Sequence, residues 1–172
     1  MKTFTNLNPK KFFINIKEVI VFTFSTSSSS ASIPFTLKAA TEKCGINKSI
    51  SSFTIPLGAT INMDGTAIMQ GCATFFLASL YGIDLGMSEI LTIVVTATIA
   101  SIGTAGIPSA GIIMLTVIFT QIGIPLEGIT LLLGVDRLLD MMRTSINVSG
   151  DLCISCIVAS SENKIDETIY KS

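Results

Sequence analysis

Polar residues interrupt the apolar stretches of this chain at few, regular places. Between Ile124 and Ser161 six of them stand out: Asp136, Asp140, Arg143, Thr144, Asn147 and Asp151, at offsets 0, 4, 7, 8, 11 and 15. At about 100° per residue these offsets fall within an arc of about 100° on one α-helix. Charge is costly in an apolar medium, so such a row reads as the wall of a buried polar site. The competing reading is a soluble amphipathic helix with a solvated face, and the rest of the chain argues against it.

The charge-free run from Ile90 to Leu126 is too long for one membrane span of about 20 residues. It is interrupted by the Gly/Pro-rich stretch Ser101 to Gly111, which a continuous helix disfavours. Each flanking arm holds only about a dozen residues, roughly 18 Å of helix against an apolar layer about 30 Å thick. Two half-length arms around a tip predict a re-entrant hairpin. The stretch around Val19 to Thr36 has the same form, with a tip from Ser27 to Pro34. Lysines stand on both sides of it: Lys10, Lys11 and Lys17 before, and Lys38, Lys43 and Lys48 after. If positive flanks mark one face of the membrane, both ends lie on that face, which suits a hairpin and not a single span. Acidic residues, Asp84, Glu89 and Glu127, flank the second hairpin instead.

A longer apolar segment follows each hairpin. The first runs from about Ser51 to Tyr81 and is expected to unwind at Asn62-Met-Asp-Gly-Thr66, whose residues form helix poorly. The second carries the polar stripe. Hairpin, helix, hairpin, helix, with the halves entering from opposite faces, is an arrangement found in secondary transporters. The tips Ala31-Ser-Ile-Pro34 and Ala105-Gly-Ile-Pro108 support an internal repeat weakly.

Composition agrees. The 172 residues are 49% hydrophobic and only 13% charged, where a soluble domain carries about 25% charged residues. Met1 to Lys48 holds seven Lys and two acids; Ser49 to Ser160 holds two Arg and seven acids. That segregation suits a membrane protein with lysines on the cytoplasmic side, and it leaves no basic stripe for nucleic acid. The first twenty residues carry four Lys and lack a signal-peptide core. Cys153 and Cys156 form C-x-x-C, but without His or a second Cys pair a zinc site lacks ligands, and the spacing fits an ordinary helix.

The stretches Ser27 to Pro34, Gly58-Ala-Thr-Ile-Asn-Met-Asp-Gly-Thr66, Ser101-Ile-Gly-Thr-Ala-Gly-Ile-Pro108 and Asp136-x-x-x-Asp140-x-x-Arg-Thr-x-x-Asn-x-x-x-Asp151 resemble the dicarboxylate/amino acid:cation symporters, the family of glutamate and aspartate transporters. They cover about Asn8 to Glu162. The resemblance implies an all-α membrane protein, multi-pass in the cell (inner) membrane, with two re-entrant helical hairpins and two broken transmembrane helices in an inverted repeat. The expected divisions are an N-terminal tail (1–8), a transport core (9–162) and a C-terminal tail (163–172). Within the core they are hairpin 1 at about 10–45, a broken helix at about 50–81, hairpin 2 at about 88–124 and the polar-striped helix at about 127–160.

The implied activity is symport of an acidic amino acid or dicarboxylate coupled to sodium or protons, not enzyme catalysis. Arg143 resembles the residue that grips the substrate side-chain carboxylate, and Asp140 the partner of its ammonium. Thr66, Thr144 and Asn147 resemble further hydrogen-bonding residues, with tip backbone near Ser28, Ser29, Ile107 and Gly111. For cations, Gly58, Asn62, Asn147 and Asp151 resemble one site, and Thr60, Ser101, Ile102 and Thr104 a second. Asn62 and Asp64 resemble part of a third. Asp136 reads as a pairing charge. Ser27 stands where some members carry an arginine, for which Arg137 is a candidate substitute. No cofactor other than the coupling ion is implied; the partners are the small acidic substrate, lipid and, for a full-length protein, a trimer. Family members carry about six further helices before the first hairpin, so the chain is expected to be a fragment, either non-functional or needing a separately encoded N-terminal half. An intramembrane aspartyl protease using two of Asp64, Asp140 and Asp151, or a passive channel, are the readings from other classes.

Overall fold

A computed structural model describes residues 4–172; of the expected N-terminal tail, residues 1–3 lie outside them. The described residues form α1 (Pro9–Thr26), α2 (Ser29–Glu42), α3 (Lys48–Ile61), α4 (Asp64–Leu80), α5 (Met87–Ile102), α6 (Ala110–Ile122), a 3-10 turn (Leu126–Gly128), α7 (Ile129–Ser161) and α8 (Glu167–Lys171). The all-α class expected from the sequence is thus observed. Among the described residues the one β feature is an antiparallel bridge between Ile46 and Ile165.

Local chemistry sets the boundaries. Asn8 caps α1 by accepting from the Lys10 N–H, and Pro9 occupies the first turn, where its missing donor costs nothing. Ser27 closes α1 in the left-handed region (φ 51°), and Ser28 at once caps α2 through the Ala31 N–H. The reversal is therefore only two residues long, and Ser29 to Pro34, expected in the tip, are helical. The second reversal is longer, Gly103 to Ser109, where Gly and Pro deny a regular helix. The expected break between α3 and α4 is present but brief: Asn62 and Met63 leave the helix, while Asp64 to Thr66 already belong to α4.

The polar-striped helix departs from expectation. It is not broken: α7 runs for 33 residues without interruption. It contains no proline, and its two glycines, Gly134 and Gly150, stand singly, so nothing in it forces a break. α7 is also the spine of the molecule, because α1, α2, α3, α4 and α6 all pack on it. Two apolar cores flank its middle. One gathers Ile16, Ile55, Leu152 and Cys156 from α1, α3 and α7; the other gathers Leu77, Ile93, Leu115 and Leu132 from α4, α5, α6 and α7. The polar stripe lies between them.

The segment expected as a C-terminal tail is docked. The Asp166 N–H donates to the Gly45 carbonyl, the Asn47 N–H to the Lys164 carbonyl and the Tyr170 hydroxyl to the Asn8 carbonyl. Asn15 Nδ2 donates to the carbonyls of both Lys43 and Tyr170. Gly45 (φ +67°) is required here, since a Cβ would fall 2.2 Å from the Asp166 carbonyl oxygen. No helix of the described residues is long and apolar enough to cross a membrane.

Candidate functional site

Six helix ends meet around the middle of α7. The N-termini of α2 (Ser29), α4 (Asp64) and α6 (Ala110) bring the positive ends of their dipoles. The C-termini of α1, α3 and α5 bring carbonyls of the opposite polarity. The two reversals touch: the Gly106 carbonyl accepts from Ser28 Oγ at 2.8 Å and from the Ser30 N–H at 3.1 Å. Gly106 allows this approach, because a Cβ there would lie 2.6 Å from Ser30 Oγ and 3.1 Å from the Ala59 carbonyl oxygen.

Arg143 stands at the centre and is 4% exposed. Its Nε donates to Asp140 Oδ1 at 2.9 Å, and its Nη2 lies 3.2 Å from Asp136 Oδ1. The second contact is an ion pair without a directed hydrogen bond, so Nη1 and Nη2 both lack an acceptor among the described residues. Buried guanidinium donors without acceptors are costly, which makes them a recognition surface for an anion that supplies one. The α6 backbone passes directly over them: a Cβ at Gly111 would sit 3.0 Å from Arg143 Cζ and 3.1 Å from Nη1. Asp140 Oδ2 accepts from the Ser109 N–H at 2.7 Å, tying the second reversal to α7.

Asn147 organises the break between α3 and α4. Its Oδ1 accepts from the Gly65 N–H at 2.8 Å and its Nδ2 donates to Thr66 Oγ1 at 3.2 Å. Its carbonyl accepts from Asn62 Nδ2, which also donates to Asp151 Oδ1 at 2.8 Å. Gly58 leaves room for Asp151, since a Cβ would fall 2.4 Å from Asp151 Oδ1. Three carboxylates, Asp136, Asp140 and Asp151, are buried on α7 with one guanidinium, Arg143, which pairs with the first two.

Of the sequence-derived substrate residues, Ser28, Ser29, Thr66, Gly111, Asp140, Arg143, Thr144 and Asn147 are buried around this centre, and the hydroxyls of Ser29 and Thr144 have no hydrogen-bond partner among the described residues. Ile107 is exposed on the second reversal. Of the cation residues, Gly58, Asn62, Asn147 and Asp151 are brought together. Thr60 is exposed, with its hydroxyl on the Leu57 carbonyl; Ile102 is also exposed. Ser101 and Thr104 are buried, with hydroxyls on the carbonyls of Thr98 and Ala100. Asp64 is exposed beside the break. Arg137 reaches the first reversal, where Nη2 donates to the Ser25 carbonyl at 3.4 Å, while Ser27 Oγ is buried without a partner.

Two functional positions escaped the sequence reading. Ser109 acts through its backbone and leaves no side-chain signature. Gln70 is buried on α4 and donates from Nε2 to the Gly111 carbonyl at 3.1 Å; its spacing of four from Thr66 would have placed it on the same face.

A family model described as the sodium:dicarboxylate symporter family matches residues 1–161. Excitatory amino acid transporter 3 of Mus musculus is 45% identical over 144 residues, covering 84% of this chain and 28% of its own length. Excitatory amino acid transporter 1 of Rattus norvegicus is 45% identical over 147 residues (86% and 27%), and excitatory amino acid transporter 2 of Homo sapiens 46% over 147 (86% and 26%). The chain thus spans little more than a quarter of the length of these curated relatives.

Proposed function

This chain belongs to the sodium:dicarboxylate symporter family, and from that premise we propose that it supplies the binding core for sodium-coupled symport of an acidic amino acid or dicarboxylate. The family and the relatives are transporters, which leaves no place for the protease reading. The observation that carries the proposal is the buried Arg143 guanidinium with two acceptor-less nitrogens, lying against Gly111 in the first turn of α6.

Arg143 binds the distal carboxylate of the substrate through its planar fork, and Asp140 receives the ammonium of an amino acid. Thr66, Thr144 and Asn147 bond the remaining polar atoms, with backbone near Ser28, Ser29, Ile107 and Gly111. Sodium is taken as a co-substrate by oxygen donors, as a hard cation prefers. Gly58, Asn62, Asn147 and Asp151 form one site, the backbone near Thr60, Ser101, Ile102 and Thr104 a second, and Asn62 with Asp64 part of a third. Asn147 belongs to both sets, so a cation that fixes it also fixes Gly65 and Thr66 for the substrate. Substrate and cation therefore favour the same closed arrangement, which is the requirement for coupling.

In this reading α1–α2 and α5–α6 are re-entrant hairpins of an inverted repeat, embedded in the cell's inner membrane in a multi-pass, trimeric assembly. Support comes from the inverted burial pattern, with charges inside and Phe53, Ile68, Ile99 and Ile113 each more than three-fifths exposed. In the assembly that contains this chain, Arg143→Ala abolishes uptake of glutamate and aspartate, measured against the amount of folded protein in the membrane because the loss of the buried partner of Asp136 and Asp140 also lowers stability. Undiminished uptake by that variant contradicts the assignment.

A further inference from the structure

Beside the central site, α3 and the C-terminal half of α7 line a half-open cavity of about 420 Å3. Its walls are apolar: Phe53, Leu57 and Ile61 from α3, and Ile154 and Val158 from α7. Its floor is not, because Asn62 and Asp151 reach into it. Asp151 is 3% exposed, and only its Oδ1 has a partner, Asn62 Nδ2. Oδ2 has no hydrogen-bond donor among the described residues. Among the described residues no cationic side chain lines the cavity.

An apolar sleeve ending on a half-satisfied carboxylate selects for a particular ligand chemistry. A purely apolar molecule would leave Oδ2 without a donor, and an anion would be repelled by it. An ammonium group on an apolar body satisfies both parts: its N–H donors reach Oδ2 in a charge-assisted bond, and its hydrocarbon fills the space between Phe53 and Ile154. The volume lies in the range of small-molecule sites, roughly 300–1,000 Å3.

We propose that this cavity is a binding site for amphiphilic monocations, ammonium compounds carrying an apolar tail, which dock their charged head on Asp151. The tail enters between α3 and α7 from the side, without passing the two reversals. Because Asp151 also belongs to the proposed sodium site, the ligand displaces sodium there; that displacement rests on the cation reading, whereas the binding itself does not.

The test uses the full chain in phosphatidylcholine nanodiscs, with phenylbutylamine as the probe and phenylbutanol as its neutral counterpart, each corrected for binding to empty discs. The amine binds saturably and roughly tenfold or more tighter than the alcohol. Asp151→Asn brings the amine down to the affinity of the alcohol, and the retained alcohol binding reports that the cavity is still formed. Leu57→Trp, which fills the sleeve from a partly exposed position, removes binding of both. Equal affinities for amine and alcohol, or amine binding that survives either substitution, overturn the proposal. Raising sodium at constant ionic strength weakens the amine; if sodium has no effect while the other results hold, the ammonium site stands and the sodium role of Asp151 fails.

Discussion

Single atoms decide the chemistry at the centre of this protein. A Cβ at Gly58 would stand 2.4 Å from Asp151 Oδ1 and 2.7 Å from Cγ. Gly58→Ala must therefore push Asp151 away and break its 2.8 Å bond from Asn62. The expected outcome is a fall in sodium affinity of about tenfold or more, as the loss of a charge-assisted bond implies, with acidic substrate still bound at saturating sodium. A sodium titration of substrate binding reads this, and an unchanged sodium midpoint contradicts it. Gly106→Ala acts on the other side of the site, where the added methyl meets the Ala59 carbonyl and the Ser30 N–H, both backbone. The two reversals then stay apart. Spin labels at the exposed positions Ala31 and Ile107 should show a longer separation in the variant, and an unaltered distance distribution argues against the contact.

Elements differ in how plainly their sequences announced them. The stripe on α7 was legible because burial of polar groups on one helical face imposes a 3.6-residue period that needs no knowledge of the neighbours. Its continuity was not, since a broken helix and a continuous one that pairs Arg143 with Asp136 and Asp140 carry the same residues. The two reversals were legible from Ser, Gly and Pro, but their mutual contact joins positions 78 residues apart and has no local signal. The last ten residues were expected as a C-terminal tail; Ile165, Ile169 and Tyr170 are the apolar residues among them that mark the side that docks. Tyr170 is 1% exposed, so Tyr170→Ala should cost about 3–5 kcal/mol, the range for removing a buried aromatic ring. Rapid amide exchange across α8 and a lower melting temperature would report it; protection equal to that of the parent chain would refute the docking.

The start of α8 also carries a pH signature. The Thr168 hydroxyl and the Ile169 and Thr168 N–H groups hold the Asp166 carboxyl below its usual range. A depressed carboxyl contributes stability that is present above its unfolded value of 3.8 and is lost as pH falls through the lower folded value. Exchange protection of α8 should therefore be flat across neutral pH and decline only in strong acid. A decline near neutrality would contradict this cap.

At the scale of the whole molecule, two apolar cores hold the ends of α7 and leave a charged centre between them. Exposed Phe and Ile side chains surround a buried Arg and three buried Asp, the reverse of a water-soluble arrangement, and that distribution was readable from composition and charge placement alone. Less readable was which helix ends would converge, because the positive ends of α2, α4 and α6 come from segments far apart in sequence. Their approach to the middle of α7, where Arg143, Asp136, Asp140 and Asp151 are buried, is what the proposed binding of an acidic substrate and sodium rests on. The sodium dependence of substrate affinity tests this most directly. Radiolabelled aspartate and glutamate, titrated on the reconstituted assembly that contains this chain, should bind with an affinity that rises at least in proportion to sodium concentration, and Arg143→Ala should abolish the signal. Equal affinity in sodium and in choline would contradict the account.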